Sequence, residues 1–123
     1  MEHLWDGVKG IVRRDGHILV LVKQNGILDL PGGRVESGET VQAALQREIK
    51  EETGLTVAIY DPVEEWSFCK MSDQLIKGIT LECSYLDGRV ELCGEHKRYF
   101  WTPVDSINRL NFNRNFLKNL IFA

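Results

Sequence analysis

Cysteine is scarce in this chain, and the three present, Cys69, Cys83 and Cys93, are odd in number and lack CxxC spacing. That argues against a disulfide framework and leaves free thiols, buried in strands and kept in a reducing compartment, as the expectation. His3, His17 and His96 are not spaced as a zinc motif. No stretch offers eighteen apolar residues in a row, so no membrane-spanning helix is expected. Residues 1–10 include Glu2 and Asp6 and have no apolar core, which argues against a secretory signal and for a cytoplasmic location. There is no Lys/Arg run, and 15 basic against 18 acidic residues give a net charge of -3. Polymeric DNA or RNA is therefore not the expected partner. Small anionic ligands stay open, because metal ions can reverse the field of an acidic pocket. A GxxxxGK[ST] phosphate loop, internal repeats and interdomain linkers are all missing.

What is present is the composition of one folded domain spanning residues 1–123, with 43% apolar and 27% charged residues. Residues 8–13 and 17–22 read as strands around the hairpin signal Asp15-Gly16, and Asn25-Gly26 turns into a short strand at 27–30. Pro31, Gly32, Gly33 and Gly38 then suggest a loop, followed by a helix of about fourteen residues with Thr40 as N-cap and Gly54 as a left-handed C-cap. Residues 56–68 read as a strand in which Pro62 marks a bulge, edge or break. A strand at 75–86 should turn at Asp87-Gly88 and return beside itself over 89–92. A further strand is expected at 96–101, a short helix from Pro103 to Leu110, and a terminal helix at 115–122. A mixed sheet with packed helices, an α/β (α+β) architecture, is the simplest assembly.

The helix carries Glu48, Glu51 and Glu52 in its last turns. At about 100° per residue, Glu51 lies near -60° and Glu52 near 40° from Glu48, while Val41, Ala44 and Leu45 fall within about 60° of it. The glutamates thus continue the inward apolar stripe, where a surface helix would place them opposite. Crowded, partly buried carboxylates need compensation, by raised pKa values or by cations. Oxygen ligands of this kind favour Mg²⁺ or Mn²⁺, with positions left for water and phosphate oxygens. Arg47 can brace the cluster against Glu39, and Gly32, Gly33 and Gly38 permit close approach of backbone to cation or phosphate. An amphipathic helix with a solvated acidic end is the alternative that spacing alone leaves standing.

The string Gly33, Glu39, Arg47, Glu48, Ile49, Glu51, Glu52, Gly54 and Leu55 resembles the Nudix box at every defining position, and Leu30-Pro31-Gly32-Gly33 is similar to the usual approach to it. Residues 95–101 look like the downstream strand on which many members carry a fourth acidic group. The resemblance implies an α/β/α sandwich around a mixed β-sheet, with Glu48, Glu51 and Glu52 as ligands of Mg²⁺ or Mn²⁺. It makes Glu95 a fourth ligand or base, the alternative being an exposed strand-end residue. Glu39, Arg47 and Gly54 would support loop and helix. The implied reaction is hydrolysis of a phosphoanhydride in a nucleoside diphosphate derivative, with Glu48, Glu52 or Glu95 as base. The chain's size is most like small MutT-type nucleoside triphosphate pyrophosphatases. ADP-ribose, nucleotide sugars and dinucleoside polyphosphates are alternative substrates, and a noncatalytic binding module is the competing class. Trp5, Phe68, Tyr85 and Phe116 are candidate walls for a base, and Asn113 and Asn115 candidate readers of its edge; ordinary core or cap roles compete for each. A monomer or homodimer fits all of this.

Overall fold

The computed structural model describes residues 4–110 and 112. Among these, strands β1 (Gly7–Arg14), β2 (His17–Lys23), β3 (Leu28–Asp29) and β4 (Gly32–Arg34) precede a single α-helix, α1 (Val41–Thr53). Strands β5 (Thr56–Cys69), β6 (Leu75–Asp87) and β7 (His96–Pro103) follow, and a 3₁₀ helix spans Val104–Arg109. All seven strands join one mixed sheet, in which β1 and β6 run parallel and the other pairs antiparallel.

Strands β1 and β2 pair only beside their hairpin, at Arg13 with Ile18 and Arg14 with His17. Beyond that they diverge, and the gap is filled by β4 alongside Gly7 to Lys9 of β1 and by β3 alongside Leu21 and Val22 of β2. The wedge between the two strands is where the acidic helix meets the sheet. Apolar residues bury both faces: Val8, Val12, Leu21 and Leu81 pack with Ala44, Leu45 and Ile49 of α1, while Ile11, Ile18, Val20 and Leu30 pack with Ile107 of the 3₁₀ helix. The terminal helix expected at 115–122 lies outside the described residues.

Several expectations need correction. Residues 89–92 form no strand, because both edges of β6 are already occupied, by β1 and by β5. The segment folds over the end of α1 instead: Glu91 N donates to Thr53 O at 2.8 Å, and Val90 and Leu92 pack on the core. Strand β4 falls where a loop was expected; a Cβ on Gly32, at φ +150°, would collide with Val8 O, so glycine is what lets it lie against β1. Pro62 does not end its strand but sits between register shifts of a continuous β5, the bulge reading. Of the cysteines only Cys83 is buried, with burial pushing its thiol up to about 12, whereas Cys69 and Cys93 are exposed. Among the described residues no helix is long and apolar enough to cross a membrane.

Helix α1 begins with Thr40 Oγ1 accepting from Ala43 N at 3.1 Å and ends at Gly54 in the left-handed region, φ 78°. The loop before it is tied to the helix by Arg47. Its guanidinium donates from Nε and Nη2 to both oxygens of Glu39 at 2.8 and 2.9 Å, and from Nη2 to Arg34 O at 3.0 Å. Nη1 donates to Glu48 at 2.9 Å and Glu51 at 3.1 Å. A planar fork serves four groups at once, which an ammonium cannot do.

Two predictions follow from this anchoring. The hydrogen bonds from Arg47 hold the Glu39 carboxyl at about 2 against its usual 4.5. A carboxyl depressed on folding contributes stability that is complete above its unfolded value and is lost as pH falls through its folded one. Urea midpoints of the parent should therefore fall between pH 4.5 and about 2 more steeply than those of Glu39→Gln; parallel acid limbs would refute the pairing. Thr40→Ala should cost about 1 kcal/mol in urea unfolding, with Thr40→Ser close to the parent.

Candidate functional site

The end of α1 delivers its glutamates into the wedge between β1 and β2. Glu52 is 15% exposed, and its Oε1 accepts from Gly32 N at 2.8 Å. Burial pushes its carboxyl up to about 7, against the Gly32 hydrogen bond and the Lys9 charge that oppose the shift. Glu48, 17% exposed, is likewise raised by burial. A Cβ on Gly33 would run into the Glu48 carboxylate, so the glycine opens the cradle in which that side chain lies. Glu51 stays 57% exposed beside Arg47. Spacing had grouped the three, and the structure does bring them to one end of the helix. It separates them by environment: two are desolvated against the loop and one faces outward.

A second set of charges lies behind Glu52. Lys9 Nζ of β1 meets Asp29 Oδ1 of β3 at 2.9 Å and donates to Leu30 O at 3.1 Å. His96, at the start of β7 and with a fully buried side chain, pairs Nε2 with Asp29 Oδ2 at 3.1 Å. Burial opposes ionisation of Asp29, yet the hydrogen bond from His96 and the Lys9 ammonium hold it at about 2. The other ring nitrogen, Nδ1, is buried without a hydrogen-bond partner and stands 3.8 Å from Glu52 Oε2. Glu95 is exposed, but one of its oxygens, one of Asp29 and a ring nitrogen of His96 lie within 4.8 Å of one another.

Lys9 and Asp29 escaped the reading of the sequence. The signal was there as single charges interrupting apolar strand runs, Val8-Lys9-Gly10-Ile11 and Leu28-Asp29-Leu30. Buried charges of this kind persist only when paired.

The donor chemistry fits a hard divalent cation. Two carboxylates whose charge is disfavoured by desolvation, a third exposed one beside them, and a side-chain cradle that a Cβ would fill make a site that positive charge stabilises.

Next to it opens a cleft of about 420 Å³ whose lining includes Lys9, Lys23, Gly33, Arg34, Trp66 and Phe68. The two rings stack at 6.1 Å and 13°. Trp66 is fixed by Nε1 donating to Thr80 Oγ1 at 3.0 Å, and a Cβ on Gly78 would collide with its ring. Phe68, a candidate wall for a base, lines this cleft. Tyr85 does not: its hydroxyl donates to Gly88 O at 2.7 Å and its ring lies under Arg14 at 4.0 Å, away from the cleft. Trp5 packs against the α1-side core. Asn113, Asn115 and Phe116 lie outside the described residues.

Comparison with known proteins agrees with this geometry. An ADP-ribose pyrophosphatase of Methanocaldococcus jannaschii is 54% identical over 52 residues, 39% of this chain and 31% of that protein. A putative 8-oxo-dGTP diphosphatase of Bacillus subtilis is 38% identical over 66 residues, 52% of this chain and 44% of that protein. The chain therefore spans less than half the length of these two relatives. A crystal structure of a MutT protein from Methanosarcina mazei superposes with a TM-score of 0.80 at 25% identity, covering 99% of this chain and 94% of that one. The model of the NUDIX domain matches residues 3–120. A complete box on the loop and helix, set in a mixed sheet of the same fold and matched along nearly its whole length, makes this chain a member of the Nudix family.

Proposed function

We propose that the chain hydrolyses a phosphoanhydride bond in a nucleoside diphosphate derivative, with a nucleoside triphosphate cleaved to the monophosphate and pyrophosphate as the leading case. The observation that carries this is the desolvated pair Glu48 and Glu52 beside a cleft lined by lysines and by the stacked rings of Trp66 and Phe68. Glu48, Glu51 and Glu52 would hold the cation, Mg²⁺ with Mn²⁺ as the alternative, and Glu95, beside Asp29 and His96, is the further candidate ligand. Such an ion, when bound, neutralises phosphate oxygens and acidifies a bound water.

The remaining work belongs to the chain's own groups. Lys9, Lys23 and Arg34 draw the polyphosphate into the cleft. A glutamate accepts the proton of the attacking water, with Glu48, Glu52 and Glu95 the candidates. Water oxygen bonds to phosphorus in line, the bridging P–O bond breaks, and the leaving phosphate keeps its electron pair. Trp66 and Phe68 offer a stacking wall for the base. The partner is accordingly a small nucleotide, the proposed working state a monomer or homodimer, and the proposed location the cytoplasm. The resemblance to an ADP-ribose pyrophosphatase supports ADP-ribose as the second substrate to try.

Turnover of a panel of triphosphates, oxidised purine nucleotides, ADP-ribose, nucleotide sugars and dinucleoside polyphosphates, ranked by kcat/KM, tests the proposal. Activity should vanish with chelator and return with Mg²⁺. Glu52→Gln should lower kcat by about 10²- to 10⁴-fold with the circular dichroism unchanged. Tight nucleotide binding without any turnover would make the chain a binding module instead. Phe68→Ala should raise KM for the preferred nucleotide more than it lowers kcat; an unchanged KM would remove the aromatic wall from recognition.

A further inference from the structure

The unpaired nitrogen of His96 is the one polar side-chain atom among the described residues that is buried with no hydrogen bond. Leaving such an atom unsatisfied costs stability, so Nδ1 calls for a partner. Its ring is fully buried and its orientation is set from the far side, where Asp29 accepts from Nε2 and is itself held by Lys9 and by Leu30 N at 2.9 Å. In the tautomer whose Nε2 proton is directed at Asp29, Nδ1 presents a lone pair. That lone pair looks toward Glu52 Oε2 at 3.8 Å, too far for a hydrogen bond. Two donors each about 2.1 Å from one ion stand about 3.0–3.4 Å apart at ordinary ligand angles. Closing the observed gap by a few tenths of an ångström therefore suffices for both to bind a single cation.

Carboxylate, imidazole and open coordination site in sequence is the arrangement by which proteins fix the tautomer of a metal-bound histidine. From this geometry we infer that His96 Nδ1 is a nitrogen ligand of the divalent cation held by Glu52, with Asp29 and Lys9 as the residues that position it. The inference rests on the proposed cation site and deepens it. The mixed nitrogen and oxygen set gives the site a preference for Mn²⁺, Co²⁺ or Zn²⁺ over Mg²⁺ beyond that of carboxylates alone. One Glu95 oxygen lies within 4.8 Å of a ring nitrogen of His96 and an oxygen of Asp29.

The test reads the ligand atom directly. Mn²⁺ bound to the parent, studied by pulsed electron paramagnetic resonance, should show the coupling of a directly bonded ¹⁴N, replaced by a ¹⁵N pattern when histidine rings are labelled. The coupling should persist in the double variant His3→Gln, His17→Gln and disappear in His96→Gln, whose amide keeps a donor for Asp29 but removes Nδ1. Co²⁺ affinity by calorimetry should fall about 10- to 100-fold in His96→Gln while Mg²⁺ affinity changes far less. An oxygen-only spectrum in the parent overturns the inference even if His96→Gln cannot be folded, and leaves the hydrolase reading intact provided Mg²⁺-dependent turnover is seen. Failure of the parent to bind Mn²⁺ at all overturns both.

Discussion

The burial of the Glu52 carboxylate is the constraint around which the rest of the site is arranged. A carboxyl pushed to about 7 by desolvation is a group whose charge the fold does not by itself support. What surrounds it is a graded response: one backbone N–H from Gly32, the ammonium of Lys9 and the ring of His96. The wedge between β1 and β2 holds β3 and β4 where the hairpin strands part, and β1, β3 and β4 donate Lys9, Asp29 and Gly32 respectively. Sheet topology and electrostatics are thus one problem here. The strands around the wedge, β1, β3, β4 and β7, carry the polar groups that the helix end meets.

Arg47 performs the complementary task on the outside of the helix. It gathers Glu39, Glu48, Glu51 and Arg34 O onto one guanidinium, so the loop and the helix cannot shift independently. Glu39 is consumed in this clamp with both oxygens occupied, which leaves it a structural role. Glu48 is shared: it accepts from Arg47 on one side and fills the Gly33 cradle on the other. Glu51, the most exposed of the three, is the carboxylate best able to reorient toward an arriving ligand.

The elements with strong local signals were legible from the chain alone: the Asp15-Gly16 hairpin, the Thr40 cap, the Gly54 exit and the inward stripe from Val41 to Glu52. These depend on interactions within a few residues. What the sequence left unread depends on partners far apart in it. Asp29 and His96 meet across 67 positions, and neither Lys9 nor Asp29 carries a spacing that announces the other. Residues 89–92 were misread as a strand because the turn signal at Asp87-Gly88 is local, whereas the occupancy of both β6 edges is not. Tyr85 was misplaced for a similar reason: an aromatic in a strand shows no preference for cleft or flank until its neighbours, here Arg14 and Gly88, are known.

Lys9 and Gly33 line the cleft and also neighbour Glu52 and Glu48, so the proposed cation and the nucleotide would meet there. Anomalous diffraction from crystals soaked in Mn²⁺ checks that assignment. Anomalous density is expected within bonding distance of Glu52 and Glu48, at the end of α1 facing Gly33. Density confined to exposed carboxylates elsewhere, with Glu48 and Glu52 unliganded, would contradict the assignment.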